Sequence, residues 1–159
     1  MRKKILVPLD GSKMGESALS AVDNFLVADS KDEVEIVLIS VITSLSHWVK
    51  DGEAGVDAAP SGPIPYTEKE LDIIRNSTRT YLDSVAKRLE RSGLKVTTEV
   101  RTGHADREIL KAIGELNINI VAMSTHGRTG FSRWILGNVA EKVLRHGTSH
   151  LLLVHAAAI

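Results

Sequence analysis

Cysteine is absent from the chain. That removes disulfides, thiol nucleophiles and iron–sulfur ligation, and it fits a cytoplasmic protein, because disulfides belong to oxidising compartments. Net charge is absent as well: 20 Lys and Arg balance 20 Asp and Glu. Without a basic excess the chain is not built to hold nucleic acid or an anionic membrane by bulk electrostatics. Long apolar runs are missing too. No stretch approaches the roughly 18–20 residues that span a bilayer. The opening "MRKKILVPLD" stops being apolar at Asp10, too short for the core of a signal peptide. These absences lead to the expectation of a soluble cytoplasmic protein with neither nucleic acid nor membrane as a partner.

What is present is 159 residues with 43% apolar content, room for one well-filled domain and hardly for two. Residues 1–159 are therefore expected to form a single domain. "KILVPL" is a short continuous apolar run closed by Asp10-Gly11-Ser12, the pattern of a strand buried on both faces and then a turn. Ser12 is placed to cap a helix over 13–28, with Ala18, Val22, Phe25 and Leu26 at helical spacing. "EVEIVLISVI" predicts a second buried strand. The connection that follows, 43–65, holds Pro60, Pro63 and Pro65, and a connection this long inside one domain is either functional or mobile.

A long helix over 66–92 carries Leu71, Ile74, Thr78, Leu82, Val85 and Leu89 on one stripe, with Gly93 as its stop. "LKVTTEVRTG" alternates, as an edge strand with one wetter face would. "DREILKAIGEL" is a short helix buried through Ile109, Leu110, Ile113 and Leu116, and "INIVAMS" is a fourth strand. The last helix falls within 134–146, and "HLLLVHA" is the fifth strand. Five strands alternating with four helices, joined by right-handed crossovers, predict an α/β fold: a three-layer, doubly wound, five-stranded parallel sheet.

Several chemistries find no support. His146 and His150 are four apart, but one ends a helix and the other begins a strand, so the helical geometry of a metal pair is lost. No protein metal site is expected. No G-x-S-x-G surrounds a serine. A receiver domain needs an acceptor aspartate after its third strand, where "RTG" stands, and "LDGSKMG" is not the S-G-G-x-D-S of an ATP pyrophosphatase.

In open α/β sheets ligands bind beyond the carboxyl ends of the strands, where the strand order reverses. Two strand ends carry suggestive residues: "PLDGS" after the first and "MSTHGRTG" after the fourth. The first is adequate as a turn and helix cap alone. It also offers the Asp10 carboxylate to a ribose hydroxyl or an adenine amino group. In the second, Gly127 and Gly130 either permit a tight turn or leave bare backbone for phosphate oxygens. Arg128 and Arg133 stand near them, and a helix N-terminus near Gly137 adds a favourable dipole. The stretch lacks the Gly-Lys-Ser/Thr ending of a P-loop.

At these residues the chain resembles the universal stress protein family, through "KILVPLDGS", "GHADREIL" and "AMSTHGRTGFSRWILGNVAEKVLRH…LLLVH". The resemblance implies a Rossmann-like sheet with strand order 3-2-1-4-5, which puts the first and fourth strands side by side. It also implies a phosphate motif, G-x2-G-x9-G-(S/T), that falls here on Ser124, Gly127, Gly137 and Asn138. Its first glycine is thus Ser and its last Ser/Thr is Asn. Pro8, Asp10 and Val41 would surround the adenosine, with Met123, His126 and Val139 lining the same cleft.

The expected ligand is ATP or a related adenine nucleotide, with Mg²⁺ carried on its phosphates. The expected role is a stress-response regulator or sensor acting on an unidentified protein partner, with slow hydrolysis or none. The resemblance further implies a homodimer through the last strand, residues 150–155. The rival expectation is a dimeric interaction protein of the same family that has lost the nucleotide. The departures bear on that choice. Ser124 is serious only if its position needs positive φ or direct backbone contact. Asn138 keeps two donors for a phosphate oxygen, or else caps the last helix.

Overall fold

The computed structural model describes residues 2–26, 28–43, 46–47, 64–124 and 137–154. Its main elements in chain order are β1 (Lys3–Pro8), α1 (Lys13–Phe25), β2 (Val34–Ile42), α2 (Glu68–Arg91), β3 (Lys95–Thr102), α3 (Ala105–Glu115), β4 (Ile120–Ser124), α4 (Asn138–His146) and β5 (His150–Val154). The five strands are parallel and lie in the order β3-β2-β1-β4-β5, the expected 3-2-1-4-5. A 3₁₀ helix, Ala28–Glu33, leads into β2. Ser46–His47 and Ile64–Pro65 form a two-residue antiparallel ladder at the ends of the long connection.

Alternation along the strands divides the core between the two sheet faces. Ile5, Val7, Ile36 and Leu38 pack with Ala18, Val22, Leu82 and Val85 of α1 and α2. Leu6, Val37, Ile39 and Val121 pack with Ile109, Ala112, Ala140 and Val143 of α3 and α4. Because both faces are covered, the central strands read as continuous apolar runs. β3 lies at one edge of the sheet and is only partly buried along its length, as its alternation predicts. Among the described residues no helix is long and apolar enough to cross a membrane.

The helix ends differ from the sequence expectation in small, explicable ways. α1 stops at Phe25 because Leu26 turns extended (φ −83, ψ 112) and drops its side chain into the core, 8% exposed. Phe25 itself is 58% exposed and does not join the apolar stripe. α2 starts two residues later than expected, at Glu68, because Thr67 and Glu70 form a reciprocal capping box. Ser92 ends it and Gly93 follows at φ +84, the left-handed stop the sequence announces. In α3 the buried residues are Ile109, Ala112 and Ile113, while Leu110 and Leu116 are half-buried.

Candidate functional site

The β1–β4 ladder ends at Leu6↔Val121, before either strand does. The β1–β2 ladder continues to Pro8↔Ile39, and the Leu9 amide donates to the Ile39 carbonyl at 2.8 Å. Amides alternate in direction along a strand, so the nitrogen of Pro8 faces β4, and proline has no N–H to give. The two strands therefore part at their carboxyl ends, which is where the chain's direction of winding reverses.

A cleft of about 340 Å³ opens at this point. Pro8, Asp10, Val41, Met123, Ser124, Gly137, Asn138 and Val139, the described residues that the sequence singles out, all line it. His126, Gly127, Arg128 and Gly130 lie outside the described residues. The cleft floor also includes Leu9, Ile39, Ala105, Ile109 and Ala140, which sequence reasoning missed. They are apolar residues of ordinary strands and helices and carry no chemical signal. Ala105 and Ile109 arrive because α3 crosses from the β3 edge back beneath β2, a path visible only in the topology.

Asp10 stands at the rim and is exposed. Its Oδ1 accepts from the Ser12 amide at 2.9 Å and from the Ser12 hydroxyl at 2.5 Å. The same hydroxyl accepts from the Gly15 amide at 3.0 Å and so caps α1. Gly11, at φ +81, makes the turn between them, a conformation that needs glycine. Oδ2 of Asp10 has no partner among the described residues. Cap and carboxylate form one hydrogen-bonded unit, where the sequence alone assigns only Ser12 to the cap.

On the opposite wall, the two departures from the phosphate motif strain no backbone among the described residues. Ser124 is the last residue of β4, paired in register with Val154, and positive φ among described non-glycine residues occurs only at Asn117. Serine therefore adds no backbone strain at 124. Gly137 is the N-cap of α4 at φ −62, ψ 151, with no side-chain cap bond. A Cβ there would meet no described atom within 4 Å, so no conformational or packing demand among the described residues requires glycine. Asn138 is the first helical residue and does not cap α4. The amides of Asn138, Val139 and Ala140 begin α4 with no acceptor among the described residues, a set of donors aimed off the helix end.

A second hollow of about 560 Å³ adjoins the first across Asp10, Ser12, Val41 and Thr43 and reaches Ser40, Tyr66, Ile74 and Thr78. Nearby, Tyr81 of α2 donates to Glu16 Oε1 at 3.0 Å, and Arg88 meets Glu16 Oε2 at 2.5 Å. Burial, then the hydrogen bond to Glu16, then the negative charges of Glu16 and Asp10 hold the Tyr81 phenol above its ordinary value of 10.0; Arg88 opposes them. Among the described residues no three His, Asp or Glu side chains come together as a metal site would require.

Comparison with known proteins agrees with this architecture. A profile of the universal stress protein family matches residues 1–155. Universal stress protein MJ0577 of Methanocaldococcus jannaschii is 29% identical over 161 aligned positions, which cover 97% of this chain and 95% of that protein. A solved structure of MJ0577 superposes with a TM-score of 0.71 at 24% identity, covering 100% of this chain and 99% of that one. A universal stress protein family protein from Arabidopsis thaliana, solved with AMP bound, gives a TM-score of 0.63 at 14% identity and covers 98% and 93% of the two chains. A universal stress protein in complex with cAMP gives 0.62 at 15% identity, covering 96% of each. These structures share the Rossmann-like α/β fold described above. The chain belongs to the universal stress protein family.

Proposed function

We propose that the chain binds an adenine nucleotide in the 340 Å³ cleft and acts as a cytoplasmic stress-response regulator or sensor. The observation that carries this reading is the convergence of the β1 and β4 strand ends on one hollow. That hollow has apolar walls at Pro8, Val41, Met123 and Val139, a carboxylate at Asp10 and, at Asn138–Ala140, helix amides with no acceptor among the described residues. Apolar walls suit a base, the carboxylate suits a ribose hydroxyl, and helix amides suit phosphate oxygens. The volume lies within the usual range of small-molecule pockets, roughly 300–1,000 Å³. The AMP-bound and cAMP-bound relatives support the same ligand class.

ATP, with Mg²⁺ on its phosphates, is the form the long Ser124–Asn138 stretch suits, with His126, Gly127, Arg128 and Gly130 as further phosphate-side residues. Asp10 is the only carboxylate among the described cleft residues. Phosphoryl transfer wants metal-holding carboxylates and a positioned base, so turnover is slow or absent and the nucleotide biases a surface for a protein partner. β5 ends the sheet with Leu153 37% exposed. This supports a homodimer through residues 150–155.

The test is to denature freshly purified protein, chromatograph what it releases, and titrate stripped protein with ATP, AMP and cAMP, with and without Mg²⁺. Saturable binding is expected, weakened about tenfold or more in Asp10→Ala, the loss of a hydrogen bond to a charged group. An empty protein indifferent to millimolar nucleotide would overturn the reading in favour of a nucleotide-independent dimeric interaction protein.

A further inference from the structure

Resting on that reading, we infer that Ser12, which lines the cleft beside Asp10, is a positioning residue that makes the site selective for ribose over deoxyribose. The geometry is specific. A carboxylate oxygen has two lone pairs, and both donors of Ser12, amide and hydroxyl, go to Asp10 Oδ1 at 2.9 and 2.5 Å. Oδ1 is thereby filled from within the turn, and Oδ2, which no described residue occupies, is the acceptor left for a ligand. A free aspartate can rotate to meet whatever donor arrives. This one is held, so it rewards a hydroxyl at one place only.

Gly15 completes the lock. Its amide donates to the Ser12 hydroxyl at 3.0 Å, which orients the serine for its own donation to Asp10. A Cβ on Gly15 would stand 2.9 Å from Asp10 Oδ1 and 3.3 Å from Ser12 Oγ, so the turn closes tightly around the held oxygen. Glu16, the next residue, is tied to Tyr81 and Arg88 of α2. The turn that carries the lock is thus anchored to a second helix, and its geometry does not wait for a ligand. A site preorganised in this way discriminates more sharply than a freely rotating carboxylate would, because the held acceptor need not be ordered again when the hydroxyl arrives.

A purely structural role for Ser12, as helix cap, makes a different prediction. Losing the cap lowers stability and weakens every ligand alike. Losing the positioning equalises ATP and 2′-deoxy-ATP. The experiment measures both dissociation constants by calorimetry for the wild type, Ser12→Ala, Ser12→Gly and Ser12→Thr. Glycine is included because it caps nearly as well as serine while lacking the hydroxyl, so that variant stays folded if alanine does not.

The wild type is expected to prefer ATP by about tenfold, the scale of one hydrogen bond to a charged group. Ser12→Gly and Ser12→Ala are expected to bring the two constants within about threefold, and Ser12→Thr to restore the preference. A wild type that binds both alike, or a Ser12→Gly variant that keeps the full preference, overturns the role of Ser12 and leaves the nucleotide site standing. A wild type that binds neither overturns the nucleotide reading and this inference with it.

Discussion

The two helical layers do different work on one sheet. The α1/α2 layer contains helices of 13 and 24 residues, and it covers the larger group of buried side chains. The α3/α4 layer has helices of 11 and 9 residues over a smaller core. Yet of the two layers the smaller one lines more of the cleft between the strand ends: Ala105 and Ile109 from α3, and Gly137 to Ala140 from the start of α4. The larger layer contributes only the first turn of α1, at Ser12 and Gly15. On the proposed reading, the division keeps stability and binding apart. A ligand site drawn from short, less extensively packed helices can adjust without opening the main core.

The sharpest break of this comparison comes from matched core truncations. Leu82 of α2 is 0% exposed and Ile109 of α3 is 2% exposed. Leu82→Ala and Ile109→Ala should each cost about 2–5 kcal/mol, from lost transfer energy plus the cavity left behind. Denaturant unfolding reads both. Nucleotide titration separates them: Leu82→Ala should leave affinity unchanged, whereas Ile109→Ala, whose side chain lines the cleft, should weaken it. Equal loss of affinity in the two folded variants would show that the layers are not separable.

Much of this division is legible in the sequence. β1, β2 and β4 are buried on both faces, so each reads as an unbroken apolar run, and the alternation in β3 betrays an edge. The stripes of α2 and α3 identify their inward faces down to Leu82, Val85, Ile109 and Ile113. The strand order does not follow from periodicity; it enters with the family resemblance, because no local pattern says which strand neighbours which. Phe25 misleads because a helical stripe cannot show that the chain leaves the helix at Leu26. Asp10 and Ser124 are visible because turns and strand ends carry unusual residues. Gly15 hides inside an ordinary helix start, and its reason, the closeness of Asp10 Oδ1, exists only in three dimensions.

A smaller effect distinguishes the α1/α2 layer at high pH. The unfolded chain ionises Tyr81 near its ordinary value of 10.0, while the folded protein keeps the phenol protonated to higher pH. The stability this contributes is complete below about pH 10 and is lost as pH rises through the folded value. Tyr81→Phe should therefore lower stability at neutral pH by about 1 kcal/mol, the net worth of a partly exposed hydrogen bond. It should also flatten the alkaline slope of the unfolding midpoint. An alkaline slope identical in the two proteins would remove Tyr81 as the tie between α1 and α2.

The smallest effect belongs to the other layer and has the opposite sign. Lys142 of α4 reaches Asp106 of α3 at 2.7 Å, an ion pair that joins the two helices. Its hydrogen bond, with the ammonium charge and two backbone amides, outweighs desolvation and holds the Asp106 carboxyl below its ordinary 3.8. Lys111, with Arg101 behind it, does the same for Glu108. Stability from these carboxylates is present above the unfolded value and is lost as pH falls through the lowered folded one. Both carboxylates are half-buried but their lysine partners are exposed, so added salt should blunt the effect. Asp106 follows cleft residue Ala105, and Lys142 sits just beyond cleft residue Ala140. Acid should therefore loosen α3 from α4 beside the site before it disturbs α1 and α2. Hydrogen exchange across a descending pH series should show earlier deprotection in α3 and α4, and Lys142→Ala should produce that pattern already at neutral pH. Simultaneous opening of all four helices would mean that the two layers melt as one, whatever their difference in packing.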